Sequence, residues 1–350
     1  MLPAIFGLQG KLLTSSESAF FRAADPAGYI LFARNIESPH QLRSLTDSLR
    51  SLCGRDNLAI LIDQEGGRVT RMGPPHWRSW PSAASFLEAS ADLEQAIYRV
   101  ECNYEALGLE LASMGLTVNC APVLDVPVQG AHGIIGDRAF SESVDSVALL
   151  GRACLRGLRL AGLEGVIKHI PGHGRATSDS HESSPKVAAS ASKLYIDSMP
   201  FRALSDASIA MTAHVIFDAW DPNYCASVST KVIKSQIRGQ LGFDGLLISD
   251  DIDMKALSGK ISDRAVAVLA AGCDIALNCW GNLKDMEGIA NAIPTIDKKA
   301  SQRLAVATRH LRSIQENPSL RERIELLRLR RDLGQTSKKL QRATVFPGLT

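Results

Sequence analysis

The chain has 350 residues, of which 45% are hydrophobic and 22% are charged; this is the composition of a globular protein whose core needs no disulfide. A formal net charge of +2 excludes a polyanion-binding surface that covers the whole molecule. The seven cysteines include no CxxC pair, which indicates reduced thiols in a cytoplasmic protein, and no apolar run reaches the roughly 18 residues of a membrane span.

Eight short apolar runs recur along the chain and are separated by longer amphipathic segments. Runs that are continuous in Val, Ile, Leu and Ala are typical of parallel strands buried on both faces. The predicted strands are Ala4–Leu8, Gly28–Ala33, Leu58–Asp63, Leu116–Val123, Gly165–His169, Ile209–His214, Gly245–Asp250 and Cys273–Asn278. The predicted helices are Gln41–Cys53, Leu93–Met114, Ser143–Leu160, Ser192–Ser205, Thr230–Leu241, Ser262–Ala271 and Leu283–Ala292. This alternation predicts an α/β protein of the (β/α)8 TIM-barrel type, with a doubly wound open sheet as the alternative.

The C-terminal part of the chain has a different charge balance. Residues 301–350 contain 11 Lys and Arg against 4 Asp and Glu, and the pattern predicts helices over Arg303–Gln315 and Glu322–Leu333. We therefore predict a single barrel domain over residues 1–300, followed by a basic helical extension over residues 301–350. A basic extension could contact nucleic acid or anionic lipid, but a solvated helix face is the preferred interpretation, and no nucleic-acid partner is predicted.

Polar side chains follow five of the predicted strands at the point where each strand ends. Because the active site of a parallel barrel lies at the C-terminal ends of its strands, charged residues repeated at this position predict a site there. These residues are Asp63, Asp125, Lys168 with His169, His214, and Asp250 with Asp251.

Several of these residues also have ordinary structural interpretations. Asp63 could cap a helix or form a turn, Asp125 could cap a loop, and His214 could be a hydrogen-bonded core histidine. Asp250 and Asp251 are adjacent, so their side chains diverge on a strand. We expect one of the two to face the pocket and the other to cap the next helix.

The loop that follows the fifth strand has the strongest chemical signal in the chain. It contains Pro171-Gly-His-Gly174, and then Asp179 and His181 at a spacing of two residues. In an extended segment both side chains project to one side, so the carboxylate can contact the imidazole and orient it for proton transfer. A turn-forming aspartate beside an incidental histidine is the alternative.

With these motifs the chain resembles glycoside hydrolase family 3, in its single-domain bacterial branch of cytoplasmic β-N-acetylglucosaminidases, or β-hexosaminidases. The resemblance covers residues 28 to 280. Its motifs are Leu31-Phe-Ala-Arg-Asn35, Asp63-Gln-Glu-Gly-Gly-Arg-Val69 with Arg71, Ala121-Pro-Val-Leu-Asp-Val126, Gly136-Asp-Arg-Ala-Phe140, Lys168-His-Ile-Pro-Gly-His-Gly174, Asp179-Ser-His181 and Ser249-Asp-Asp251. The pair of Pro-Gly-His-Gly and Asp-Ser-His is the most specific of these, because it marks the branch.

The resemblance implies retaining, two-step cleavage of a terminal β-linked N-acetylglucosamine. Asp250 would be the nucleophile, and His181, paired with Asp179, would be the general acid and base. A histidine in this role differs from the two carboxyl groups of most retaining glycosidases, but it avoids two like charges in one pocket. Ile170 and Met72 stand where aromatic residues are usual in this family, which changes packing near the sugar and leaves the chemistry unchanged.

The resemblance also implies a set of substrate-binding residues and a substrate. The sugar-binding positions are Asp63, Arg71, Arg138, Lys168 and His169. No metal and no organic cofactor is implied. The usual substrate in this family is a saccharide or muropeptide from peptidoglycan turnover, in which N-acetylglucosamine is joined to anhydro-N-acetylmuramic acid. A monomer is expected.

Two other functions remain open on the residues alone. The first is a metal-dependent hydrolase on the same barrel, with a zinc set drawn from His169, His173, His181, His214 and Asp250. Stoichiometric zinc and chelator-sensitive activity in the purified protein would favour it. The second is a sugar-binding protein without catalytic activity, for which tight sugar binding without turnover would be the evidence.

Overall fold

The computed structural model describes residues 1–178, 184–311, 314 and 317–334, and in it eight parallel strands close into a barrel. The barrel strands, in order around the barrel, are β1 (Leu2–Gly7), β2 (Pro26–Leu31), β3 (Ala59–Ile62), β4 (Val118–Asn119), β5 (Glu164–Ile170), β7 (Ile209–Thr212), β9 (Leu246–Asp251) and β10 (Ile275–Asn278). Strands β6 (Lys186–Val187) and β8 (Ile216–Phe217) form a separate two-stranded parallel sheet. The predicted (β/α)8 barrel is confirmed, and the open-sheet alternative is wrong because β10 pairs with β1.

Helices follow most of the strands and pack outside the barrel. They are α1 (Ser15–Ala24), α2 (Pro39–Cys53), α3 (Ser85–Glu88), α4 (Leu93–Ser113), α5 (Val144–Leu160), α6 (Ala191–Asp197), α7 (Met199–Ala203), α8 (Ile261–Ala271), α9 (Leu283–Ala292), α10 (Lys298–Thr308) and α11 (Pro318–Leu333). Val232–Gln240 is a further helix with π-type hydrogen bonds. No helix within the described ranges combines the length and the apolar character that crossing a membrane requires.

The sequence pattern did not predict helix α1, although its start has a recognisable signal. The Thr14 side chain accepts a hydrogen bond from the Glu17 backbone N–H at 3.1 Å, and the Glu17 carboxylate accepts one from the Thr14 N–H at 3.0 Å. This is a capping box, in which two N–H groups at the helix start are satisfied reciprocally. Glu17 also accepts the backbone N–H of Gln9 at 3.0 Å, so the cap ties the helix to the chain that leaves β1.

Two predicted elements are shorter or split in the structure, in both cases near a proline. Strand β4 is only Val118–Asn119, whereas the predicted strand continued to Val123; Pro122 has no N–H to donate to a neighbouring strand. The predicted helix Ser192–Ser205 is divided at Ser198 into α6 and α7, because Pro200 has no N–H for a continuous helix.

Helix α10 closes the end of the barrel at which the strands begin. Its Leu304 and Ala307 belong to the apolar cluster inside the barrel, and its Arg303 donates to Asp274 Oδ1 at 2.8 Å, just before β10 starts. The predicted domain boundary at residue 300 falls inside this helix, and the division of the chain there stays a prediction. Because α10 covers this end, the end at which the strands finish is where the described residues leave the barrel open to a substrate.

Candidate active site

A cavity of about 210 Å³ opens at the C-terminal ends of the barrel strands. Its walls come from strands β2, β5, β7, β9 and β10 and from the loops that follow β2, β3, β4, β5, β9 and β10. Six of the sequence-predicted site residues line it: Asp63, Arg71, Arg138, Lys168, His169 and Asp250. The other two, Asp179 and His181, lie outside the described residues. The structure therefore brings together every described residue that the resemblance assigns to catalysis or sugar binding, whereas Asp125 and His214, proposed from their positions at strand ends, are not among the lining residues.

Lys168, near the end of β5, lies between two carboxylates from the loop after β3. Its Nζ is 3.0 Å from Asp63 Oδ1 and 2.7 Å from Glu65 Oε1, and its side chain is only 3% exposed. Arg71 binds the other oxygen of Asp63 at 3.2 Å, while Arg138 donates to both oxygens of Glu65 at 2.8 Å. Two carboxylates thus hold three cations in fixed positions around one side of the cavity.

The charges of this cluster keep one another ionised in spite of their burial. Burial opposes ionisation of Glu65, but Lys168 and Arg138 lower the pKa of its carboxyl to about 2. The pKa of Asp63 is likewise well below its ordinary value, because Lys168 and Arg71 outweigh its burial. Burial also opposes the positive charge of Lys168, but the two carboxylates raise the pKa of its ammonium group. The cluster presents charged hydrogen-bonding groups that suit the hydroxyls of a sugar.

Removal of Lys168 tests the energetics of this cluster. We expect Lys168→Met to destabilise the protein by about 3–5 kcal/mol, because two buried carboxylates lose a shared cation. Urea denaturation followed by circular dichroism measures this change. Lys193→Met, which removes an exposed lysine of α6, is the matched control and should leave the midpoint unchanged. Equal midpoints for the two variants would contradict the assigned role of Lys168.

A second buried carboxylate, Asp125, fixes the chain around His169. Its Oδ2 accepts from His169 Nδ1 at 2.7 Å, and its Oδ1 accepts from the backbone N–H groups of His169 at 3.2 Å and His173 at 2.6 Å. Nearby His169 and these N–H groups hold the pKa of Asp125 below its ordinary value in spite of complete burial. The hydrogen bond to Nδ1 orients the His169 ring, so that Nε2 is the nitrogen left for the cavity.

The carboxyl of Asp250, near the end of β9, is set up to be ionised. Burial opposes its charge, but the imidazoles of His214 and His169 and the backbone N–H of Asp251 hold its pKa below the ordinary value. That N–H donates to Asp250 Oδ1 at 2.8 Å. An ionised carboxylate at the cavity wall can attack an electrophilic carbon.

The neighbouring carboxyl, Asp251, does not cap the next helix, contrary to expectation. Its Oδ1 instead accepts from the backbone N–H groups of Asp253 and Cys279, both at 3.1 Å, while helix α8 begins after Lys260. Burial and the nearby Asp253 carboxyl raise the pKa of Asp251 above its ordinary value. The pKa values of the two adjacent acids are therefore shifted in opposite directions, and Asp250 is the one whose surroundings favour the carboxylate.

His214 is a hydrogen-bonded core histidine, which was the structural alternative considered for it from the sequence. Its Nδ1 is 2.6 Å from the Ser227 hydroxyl oxygen, and its Nε2 is 3.0 Å from the Asp251 carbonyl oxygen. Both ring nitrogens are thus used inside the protein, and the side chain is fully buried. His214 supports the backbone that follows Asp250 and is not among the residues that line the cavity.

The sequence interpretation missed one residue that shapes the site, Glu65, and left a second, Asp125, undecided. Glu65 lies two positions after Asp63, and a period of two places both side chains on one side of an extended segment, as was proposed for Asp179 and His181. Asp125 was left undecided between a site residue and a loop cap. Its importance comes from a contact with His169, 44 positions later in the chain, which sequence spacing does not reveal.

Within the described ranges, the structure gathers no group of three or more His, Cys, Asp or Glu side chains arranged to hold a metal ion. Of the zinc set proposed from the sequence, His169 is held by Asp125 and His214 by Ser227, whereas His181 lies outside those ranges. The described groups suit binding of a polar ring and nucleophilic attack by Asp250.

Comparisons with known families, sequences and structures all find similarity to the same group of proteins. Residues 15–314 match the family model described as the glycosyl hydrolase family 3 N terminal domain. A β-hexosaminidase of Alkalilimnicola ehrlichii is 38% identical over 309 residues, covering 86% of this chain and 87% of the relative, and one of Pseudomonas aeruginosa LESB58 is 37% identical over 274 residues, covering 77% and 80%. The crystal structure of NagZ from Neisseria gonorrhoeae in complex with N-trifluoroacetyl-D-glucosamine superposes with a TM-score of 0.82 at 28% identity, covering 93% of this chain and 97% of that one.

Proposed function

Because the chain belongs to glycosyl hydrolase family 3 and is a β-N-acetylhexosaminidase, we propose that it removes terminal β-linked N-acetylglucosamine by a retaining mechanism with Asp250 as the nucleophile. The observation that carries this proposal is that one cavity contains both a carboxylate and a cluster of cationic side chains. An ionised Asp250 carboxylate faces a space bordered by the Lys168, Arg71 and Arg138 cluster. At about 210 Å³ the cavity is smaller than the pockets of drug-sized ligands, which suits a single sugar.

In the first chemical step, an oxygen of the Asp250 carboxylate attacks the anomeric carbon of the bound sugar. The bond from that carbon to the leaving oxygen breaks, and His181, oriented by Asp179, gives a proton to this oxygen. The product is a glycosyl ester on Asp250. The cations that surround Asp63 and Glu65 hold the sugar hydroxyls meanwhile, which keeps the anomeric carbon in line with the nucleophile.

In the second step water hydrolyses the glycosyl ester on Asp250. The His181 ring, now neutral, takes a proton from a water molecule as that water attacks the anomeric carbon from the side that the leaving group vacated. The ester bond breaks and the Asp250 carboxylate is regenerated. Two inversions at one carbon give a product with the original β configuration.

The substrate that we propose is a disaccharide or disaccharide-peptide of peptidoglycan turnover, in which the leaving sugar is anhydro-N-acetylmuramic acid. Its support is the similarity to a β-hexosaminidase over 87% of that relative's length, and the one-sugar size of the cavity, which favours removal of a terminal residue. A cytoplasmic location agrees with seven cysteines that are free thiols, six of them buried.

A small panel of aryl β-glycosides tests the proposed reaction. We expect the aryl β-N-acetylglucosaminide to be hydrolysed at least about 100-fold faster than the aryl β-glucoside, because a site that binds the amide loses paired polar contacts without it. Proton NMR should show the β anomer as the first product. Initial formation of the α anomer would contradict retention, and turnover of the glucoside alone would contradict the sugar assignment.

A further inference from the structure

A second depression, of about 670 Å³, lies beside the catalytic cavity and carries an exposed tryptophan. Trp280 is 68% exposed, although its indole is among the side chains with the most to gain from burial. The other residues that line the depression are Gln9, Asp253, Gly281, Asn282, Leu283 and Asp285. An aromatic face surrounded by polar side chains is the usual composition of a binding site for a small polar ligand.

The depression and the catalytic cavity share a wall. Cys279, immediately before Trp280, lines the catalytic cavity. The Cys279 backbone N–H donates to Asp251 Oδ1 at 3.1 Å and to Asp253 Oδ2 at 3.2 Å, and Asp253 Oδ2 also accepts from the Trp280 backbone N–H at 3.4 Å. Asp251 lines the catalytic cavity and Asp253 lines the depression. The backbone of Cys279 and Trp280 is therefore part of the wall between the two, and Trp280 lines the side of the depression.

The loop that carries Trp280 is held on both sides. The Arg34 guanidinium donates to the Cys279 carbonyl oxygen and, through Nε, to the Leu8 carbonyl oxygen at 2.9 Å. Gly281 has a φ of +73°, and a Cβ at this position would be 2.4 Å from the Leu8 carbonyl carbon, so only glycine fits. An aromatic ring on a fixed loop loses little conformational entropy when a ligand binds to it.

We propose that Trp280 is the platform on which the leaving sugar stacks, so that the depression is the binding site for the second sugar of the substrate. This inference rests on the proposed function. The catalytic cavity has room for one sugar, and the ring on the other side of the scissile oxygen therefore lies at the rim. One face of a pyranose consists largely of C–H groups, which pack on an aromatic ring, while Gln9, Asn282 and Asp285 are placed to meet hydroxyls at its edge.

Two substrates that differ only in the leaving group separate this role from catalysis. They are di-N-acetylchitobiose, whose leaving group is a sugar, and β-N-acetylglucosaminyl fluoride, whose leaving group is too small to reach the indole. For Trp280→Ala we expect kcat/KM to fall at least about 10-fold on the disaccharide, as for loss of an aromatic anchor, and to stay unchanged on the fluoride. Trp280→Phe should keep most of the activity on the disaccharide.

Leu160→Ala is the matched control, because Leu160 is a 55% exposed apolar residue at the end of α5, on the opposite face of the barrel. It should behave as the wild type on both substrates. Equal effects of Trp280→Ala on the two substrates, or no effect on either, would overturn the platform while the wild type still hydrolyses both. A wild type that hydrolyses neither would overturn the proposed function and this inference with it.

Discussion

Asp250→Asn is expected to reduce turnover of any β-N-acetylglucosaminide by roughly 10⁴- to 10⁶-fold, the range seen when a nucleophile is removed from an enzyme that forms a covalent intermediate. An amide cannot form the glycosyl ester, and its oxygen has no negative charge to offer the anomeric carbon. Stopped assays on an aryl N-acetylglucosaminide at high enzyme concentration measure the residual rate. Because the amide can keep the hydrogen bond from the Asp251 N–H, which is 2.8 Å long, the fold should be retained.

Asp251→Asn is the matched control for this variant. Burial and the nearby Asp253 raise the pKa of the Asp251 carboxyl, which favours its neutral form, and an amide resembles that form. The amide oxygen can still accept the N–H groups of Asp253 and Cys279. We expect most of the activity to remain. If Asp251→Asn were inactive and Asp250→Asn active, the nucleophile would have been assigned to the wrong member of the pair.

The second large effect is expected for His181→Ala, and it should depend on the leaving group. Cleavage of a disaccharide needs a proton on the departing alkoxide, so we expect a loss of about 10²- to 10⁴-fold, the usual contribution of general acid–base catalysis. An aryl leaving group needs little help, and for this substrate the first step should be affected less than the second. The glycosyl ester on Asp250 should then accumulate and be detectable as a covalent adduct by mass spectrometry of the intact protein.

His40→Ala, which removes an exposed histidine of α2, is the control for His181→Ala and should show neither effect. A uniform loss across leaving groups, without accumulation of an adduct, would show that His181 acts on something other than the proton of the leaving oxygen. His181 and Asp179 lie outside the described residues. The dependence of the rate on the leaving group therefore tests their role directly.

The barrel could be predicted because its strands and its site obey simple local rules. Strand β5 shows both rules, since Gly165, Val166 and Ile167 form an apolar run and the residues after them are Lys168 and His169. The same reasoning found Asp63 and Asp250, which turned out to line the same cavity. Repetition of one pattern around the barrel was therefore enough to locate the site without any knowledge of distances.

Features that depend on contacts between distant parts of the chain could not be predicted. The ionised state of Asp250 depends on the imidazoles of His214 and His169, which lie 36 and 81 positions earlier in the chain. Asp125 shows the same limit, since its partners are on another strand. Helix α1 is a different case, because Thr14 and Glu17 have the spacing of a capping box and the signal was present in the sequence.

The carboxylate of Asp125 has a practical consequence for the exchange of loops between relatives. It holds the backbone at both His169 and His173, and Gly174 is pressed so closely against Val126 that a Cβ there would be 1.9 Å from the Val126 carbonyl oxygen. The segment after Gly174 thus departs from an anchored point. A chimera that imports a new segment after Gly174 should therefore keep the contacts of Asp125 with His169 and His173. A graft that begins before these residues and replaces them would bring in the new segment without the contacts that position it.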